Sequence, residues 1–224
     1  MEYSETVPVQ YERGGTEFMG MNIAVDQRVF IPRPETELLV YAAAQVFENS
    51  SLKNPVVLDI GTGSGVIPLG LKKMIPGCTV TGVDISTDAL KVAENNVNRT
   101  GIRDIDLVCA DMYDGLGDEN RGIFDAVLSN PPYVSDGDYL KTDAWIKAEP
   151  EIAFRSGSEG MDHITMITGK AYDYLKKGGF LALEIGYDQS EKTKELFYRN
   201  GYTGISVFID FNGYERVVLG WKNG

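Results

Sequence analysis

Apolar positions switch between two periods along the chain, and the switching predicts the architecture. Short apolar runs rich in valine, leucine and isoleucine predict strands near 55–60, 78–84, 104–109, 123–129 and 179–185. Helical spacing predicts helices near 64–75, 86–99, 159–176 and 188–200, between or after those strands. Such alternation builds a mostly parallel sheet with helices on both faces. Two last strands, near 203–209 and 214–221, are separated only by the turn Asp210-Phe211-Asn212-Gly213, so they form a hairpin and one strand is antiparallel. Upstream, a helix is expected from Pro34 to about Glu48. Pro34 suits a first turn, Glu35 and Glu37 sit at its positive end, and Leu38, Leu39, Ala42 and Val46 make the apolar stripe. Before it, Tyr11 to Met21 and then Asn22 to Asp26 read as a small hairpin. Residues 1–31 are therefore expected to be a lid-like extension and 32–224 the main domain. Residues 130–158 have little periodicity, and a loop of that length inside a compact domain is usually functional.

Composition narrows the function classes. The 224 residues are 43% hydrophobic, enough for a full core, and carry a formal net charge of −12. That balance weighs against a long nucleic acid as partner. No apolar run reaches the length of a membrane span, and Met1-Glu2-Tyr3-Ser4-Glu5 lacks the features of a signal peptide, so a cytoplasmic protein is expected. Cys78 and Cys109 have no motif spacing and fall in or beside apolar runs, which predicts buried, reduced thiols. The single histidine, His163, leaves no His cluster for zinc, so no metal is expected.

Two motifs carry chemistry. In the first, Val56-Val57-Leu58-Asp59-Ile60 runs into Gly61-Thr62-Gly63-Ser64-Gly65, a strand, a tight turn and a helix expected from about Ser64. A dinucleotide fingerprint would place its third glycine at position 66, which is Val66. Asp59 is placed either to take up a ligand ammonium or to orient the loop. The next strand ends in Asp84, a two-oxygen fork suited to ribose hydroxyls, and the one after it is followed by Asp111-Met112, placed to meet an adenine amine and cover its face. Amino acid, ribose and adenine without phosphate describe S-adenosylmethionine. In the second motif, Asn130-Pro131-Pro132-Tyr133 follows the strand Phe124 to Ser129. The prolines stiffen the backbone and push Asn130 towards an extended conformation at the strand's C-terminal edge, as a methyl-acceptor clamp requires.

Four segments, Ile31-Pro32-Arg33-Pro34-Glu35-Thr36-Glu37, Asp59 to Gly65, Asn130 to Tyr133 and Leu183-Glu184-Ile185-Gly186, resemble the HemK/PrmC family of protein-glutamine methyltransferases. The likeness runs from about Pro8 to Val218. It implies a class I methyltransferase (Rossmann-like) seven-stranded sheet and, as substrate, the glutamine of a Gly-Gly-Gln loop in a peptide-chain release factor. It also implies cofactor contacts at Gly61 to Gly65, Asp84, Met112 and Asn130, with Asn130 to Tyr133 holding the substrate. Bacterial members carry a helical N-terminal recognition domain that this sequence does not show, Glu151 stands where many have arginine, and Met112 replaces a frequent aromatic. Glu149-Pro150 matches the family. An exocyclic amine of a nucleic-acid base, or a small metabolite, is an alternative acceptor, because the Asn-Pro-Pro-Tyr clamp fits any planar nitrogen. A non-catalytic cofactor-binding scaffold is the alternative of another class. Arg33, Glu35 and Glu37 are expected to cap the helix, Glu184 and Gln189 to be structural, His163 to sit on a helix face, and Tyr11, Phe18 and Phe30 to pack.

Overall fold

The computed structural model describes residues 6–50 and 52–224; the start Met1 to Glu5, on which the reading of the N-terminus rests, lies outside them. A one-turn helix α1 (Val9–Arg13) precedes the expected hairpin, β1 (Thr16–Phe18) and β2 (Met21–Ile23), and leads to α2 (Pro34–Asn49). Then follow β3 (Val56–Ile60), α3 (Val66–Met74), β4 (Thr79–Asp84), α4 (Thr87–Thr100), β5 (Ile105–Cys109) and β6 (Phe124–Ser129). After α5 (Asp136–Tyr139) come α6 (Asp162–Tyr174), β7 (Leu175–Glu184), α7 (Ser190–Arg199), β8 (Tyr202–Ile209) and β9 (Glu215–Lys222). The main sheet has the order β5-β4-β3-β6-β7-β9-β8, and β9 runs antiparallel to both of its neighbours.

Alternation within the strands decides which helices cover which face. Val57, Ala126, Leu128, Phe180 and Ala182 point into a core shared with α2, α3 and the first turns of α4. Their neighbours Leu58, Val127, Leu181 and Leu183 point the other way, onto Ile164 and Ile167 of α6 and Phe197 of α7. The N-terminal segment joins the first core through Phe18, Ile23, Val25, Val29 and Ile31. Gly70 of α3 permits this approach: a Cβ there would lie 2.8 Å from Met19 Sδ.

Four expectations are corrected. Helix α3 begins at Val66 and not near Ser64, because Gly63 and Gly65 hold left-handed φ of 54° and 81°. In α2 the buried face is Leu39, Val40, Ala42, Ala43, Ala44 and Phe47, while Leu38 and Val46 are only partly covered. The helix is packed by the sheet, by α3 and by the N-terminal segment, which widens the stripe. Cys109 is exposed while Cys78 is buried, and both are free; β5 is an edge strand, so its last residue lacks a neighbour on one side. The 130–158 loop contains α5 and two 3-10 turns, and a bridge between Val134 and Arg155 draws its ends together.

Candidate active site

From β3 the chain winds outward to β5, then resumes at β6 on the other side of β3. Loops leaving β3 and β6 therefore diverge, and a crevice opens at their C-terminal ends. A cavity of about 360 Å³ fills it, bounded by the loops after β3, β4, β5 and β6 and roofed by residues 28–33 and 145–154. Ser129 Oγ donates to Ile60 O at 2.6 Å and pins the two strand ends together beneath it.

The glycine turn is held from below. Gly61 N and Thr62 N donate to Val83 O at 2.8 and 2.9 Å, so the loop is tied to β4 and its upper side faces the cavity. A Cβ on Gly61 would meet no protein atom within 4 Å, which leaves that side open to a ligand. Asp84 Oδ2 accepts from Gly63 N at 2.8 Å and Oδ1 from Ser86 N at 2.9 Å. Each oxygen keeps a lone pair for a further donor. Burial raises the Asp84 pKa, and the two backbone donors oppose that. Of the sequence-predicted cofactor residues, Gly61, Thr62, Gly63, Ser64, Asp84, Asp111, Met112 and Asn130 line the cavity.

Asp59 and Gly65 do not belong to that wall. Asp59 is fully buried under the loop, and burial raises its pKa to about 7. Neither its carboxylate oxygens nor the Thr62 hydroxyl has a regular hydrogen-bond partner. Of the two roles read for Asp59, this position fits orienting the loop and not meeting a ligand ammonium. Gly65 faces α4, where a Cβ would stand 3.2 Å from the Ala93 Cβ. These features fit a ligand with ribose-like hydroxyls and no phosphate: the arginines of the wall, Arg28 and Arg33, are each paired with a carboxylate, Asp26 and Glu149.

All four residues of the Asn130 to Tyr133 motif line the same cavity. Asn130 Nδ2 donates to Thr36 Oγ at 3.0 Å, which leaves its Oδ1 as the free end of the amide. Tyr133 O–H reaches Glu184 Oε1 at 3.4 Å. Burial and the Glu184 charge raise the Tyr133 pKa, so the phenol stays a donor at neutral pH. Glu184, almost fully buried at the end of β7, is raised to about 7 by burial. Gln189 fixes the motif from behind: its Nε2 donates to Tyr133 O at 2.9 Å and Gly160 O at 3.1 Å, and its Oε1 accepts from Gly186 N at 2.8 Å.

The roof is a clasp between distant segments. Glu149 Oε2 accepts from Ile31 N at 2.8 Å, and its Oε1 takes the Arg33 guanidinium. Arg33 lies 4.7 Å from the Phe30 ring centroid and 5.7 Å from that of Trp145, while Phe30 meets Phe154 edge-on at 5.3 Å. Phe30 is thus a cavity wall, whereas Phe18 packs and Tyr11 holds the roof by donating to Val29 O at 2.6 Å. Arg33 flanks α2 without a side-chain cap bond, and Glu37 accepts from Met19 N at 2.7 Å. Glu151 lies outside the wall, paired with Arg155.

Sequence reasoning missed Thr36, Asn96 and the place of His163. Asn96 of α4 accepts from Ala24 N and donates to Ala24 O and Ser64 O, tying the N-terminal segment to the glycine turn. His163 reaches the cavity from α6, with Ser156 Oγ 2.9 Å from its Nδ1. Burial lowers its pKa. The presence of asparagine on a polar helix gives no local signal of a partner 72 residues away.

A family profile described as Methyltransferase small domain matches residues 36–149. A release factor glutamine methyltransferase of Geobacter sulfurreducens is 36% identical over 95% of this chain and 72% of its own length. One of the same name from Neisseria gonorrhoeae is 37% identical over 95% of this chain and 76% of its own length. Among solved structures, a protein-(glutamine-N5) methyltransferase (release factor-specific) from Alicyclobacillus acidocaldarius is 26% identical, with a TM-score of 0.52 over 87% of this chain and 95% of that one. A methyltransferase from Pyrococcus furiosus, 19% identical, shares the fold with a TM-score of 0.67 over 92% of this chain and 91% of that one.

Proposed function

Because this chain belongs to the release factor glutamine methyltransferase family, we propose that its cavity binds S-adenosylmethionine and delivers the methyl group to the side-chain amide of a glutamine in the Gly-Gly-Gln loop of a release factor, in the cytoplasm. The cofactor supplies a methyl group made electrophilic by its sulfonium. Gly61 to Ser64 would receive its amino-acid end along open backbone, Asp84 its ribose, and Asp111 and Met112 its adenine. Asp59 and Gly65 shape the loop without touching it.

An amide nitrogen is a weak nucleophile because its lone pair is delocalised, and it is too weak an acid for a side-chain base to deprotonate first. Positioning must therefore supply most of the rate. Asn130 Oδ1 and the Pro131 carbonyl would each accept one hydrogen of the substrate amide and aim its nitrogen at the cofactor end of the cavity. Tyr133 would wall the amide, and its ring face favours the cationic centre. The proton leaves after transfer. One observation carries this reading: Thr36 occupies Asn130 Nδ2, so the amide offers the substrate an acceptor and not a donor.

The test is transfer of labelled methyl from S-adenosylmethionine to a release factor and to its loop Gln→Ala variant, with nucleic acid offered separately. Label on the intact loop alone is the expected result. Label on nucleic acid only, or on both release factor variants alike, would overturn it.

A further inference from the structure

Single apolar side chains on a surface need no explanation, but a cluster of them beside an active site does. Tyr187, Ile209, Phe211 and Tyr214 are all exposed, and all belong to the β8–β9 hairpin or to the loop that leaves β7. Topology puts them at the working edge of the sheet. β9 runs antiparallel to β7 and to β8, so the hairpin turns on the same side as the C-terminal ends of β6 and β7. β9 is two places from β6 in the sheet, about 10 Å at ordinary strand spacing.

A continuous run of contacts leads there from the acceptor clamp. Tyr133 O–H meets Glu184 at the end of β7. The next residue, Ile185, donates its N–H to Arg216 O at 2.9 Å. The Arg216 guanidinium lies 5.8 Å from the Tyr214 ring centroid, and Tyr214 meets Tyr187 edge-on at 5.7 Å.

The hairpin tip is built to hold its shape. Asp210 Oδ1 accepts from Asn212 N at 2.8 Å and from Tyr214 N at 2.9 Å, and its Oδ2 accepts from Arg216 Nε at 2.9 Å. Asp210 N donates to Tyr214 O at 2.8 Å, and Gly213, with φ of 86°, closes the turn. Phe211 is thus displayed, fully exposed, on a turn whose conformation is fixed before any partner arrives. Aromatic side chains bury much area for few lost rotations, which is why they anchor protein interfaces.

We propose that Tyr187, Phe211 and Tyr214 form the docking surface for the folded domain of the release factor that presents the acceptor glutamine. This rests on the proposed function. A glutamine on a loop of a folded protein enters the cavity only if the rest of its domain comes to rest on the rim, and the aromatic patch is an apolar part of the rim adjoining the clamp. The charges beside it in sequence, Asp188 and Glu215, are acidic, and Arg216 is taken by Asp210, so the patch suits a protein surface and not a phosphate backbone. The clamp holds the amide, and the aromatics select the protein that carries it.

The test compares the wild type with Phe211→Ser, Tyr187→Ser and the double variant. Calorimetry on enzyme loaded with S-adenosylhomocysteine gives Kd for the release factor, and transfer of labelled methyl from S-adenosylmethionine gives kcat and KM. Each single variant should weaken Kd and raise KM about tenfold, and the double variant more. At saturating release factor, kcat should stay within twofold, as should Kd for S-adenosylhomocysteine. A double variant with Kd and KM for the release factor within twofold of the wild type, and label still on the loop, would overturn the docking surface alone. A loss of kcat or of cofactor affinity as large as the change in KM would show a structural role and overturn it as well. A wild type that sediments as a dimer, made monomeric by Phe211→Ser, would assign the patch to a second copy of this chain and not to the release factor. No label on any release factor from the wild type would overturn the proposed function, and this surface with it.

Discussion

At the scale of single residues, the site depends on which atoms are left unoccupied. Asn130→Ala removes the acceptor and leaves the cofactor wall in place, so kcat is expected to fall roughly 10²–10³-fold while cofactor Kd, read by calorimetry, moves by no more than a few fold. Gly65 is a backbone demand of another sort. With φ of 81° and Ala93 only 3.2 Å from a Cβ, Gly65→Ala should destabilise the protein by about 1–3 kcal/mol in urea unfolding. The two motifs were legible in sequence because their residues are contiguous: the glycine turn and Asn130 to Tyr133 each form one short run, and both line the same cavity. Thr36 and Asn96 were not legible as site residues. Each acts through a partner on another element, 94 residues away for Thr36 and Asn130, and no local pattern encodes that pairing.

At the scale of elements, the strands were readable because buried strands are largely apolar on both faces, as Val56-Val57-Leu58 and Ala126-Val127-Leu128 are. Helix α1 was not, since five residues with none buried leave no periodicity to detect. The start of β7 at Leu175 was missed for another reason: its register with β6 shifts after Phe124, where Lys176-Lys177-Gly178-Gly179 interrupts the apolar run. The fastening of the roof was invisible in sequence. Arg33 and Glu149 are joined across 116 residues, with the carboxylate fully buried and the guanidinium about a quarter exposed. Arg33→Ala leaves a buried carboxylate without its partner. Cofactor affinity should weaken about tenfold, and amide exchange at residues 29–33 and 145–154 should quicken together. Glu149→Gln retains an acceptor for Ile31 N–H and should lose less. Exchange that quickens in only one of the two segments would show that they do not open as a unit.

At the scale of the whole molecule, buried carboxyls govern the response to pH, Asp59 and Glu184 most strongly. Asp59 and Glu184 keep their protons to about pH 7 in the folded state, whereas ordinary carboxyls release them near 3.8 and 4.5. Between about pH 4 and 7 the folded chain therefore binds more protons than the unfolded chain, and stability falls as pH rises. His163, lowered by burial, acts in the opposite sense below 6.5, while Asp84 and Glu149, both raised by burial, act in the same sense as Asp59 and Glu184. Asp26, held down by its bonds to Arg28, titrates below 3.8 and lies outside the window. Thermal midpoints should drop by roughly 10 °C or more from pH 5 to pH 8. Asp59→Asn should make that slope shallower, and a slope unchanged in this variant would mean that Asp59 ionises normally.

The clasp over the cavity also orders events in time. Ile31 and Arg33 are made early on the ribosome, but Glu149 follows 118 and 116 residues later. Closing so long a loop costs entropy that is recovered only when the sheet between its ends exists. A nascent chain therefore carries its glycine turn well before it owns a covered cavity, and the capacity to retain cofactor is among the last properties the folding protein acquires.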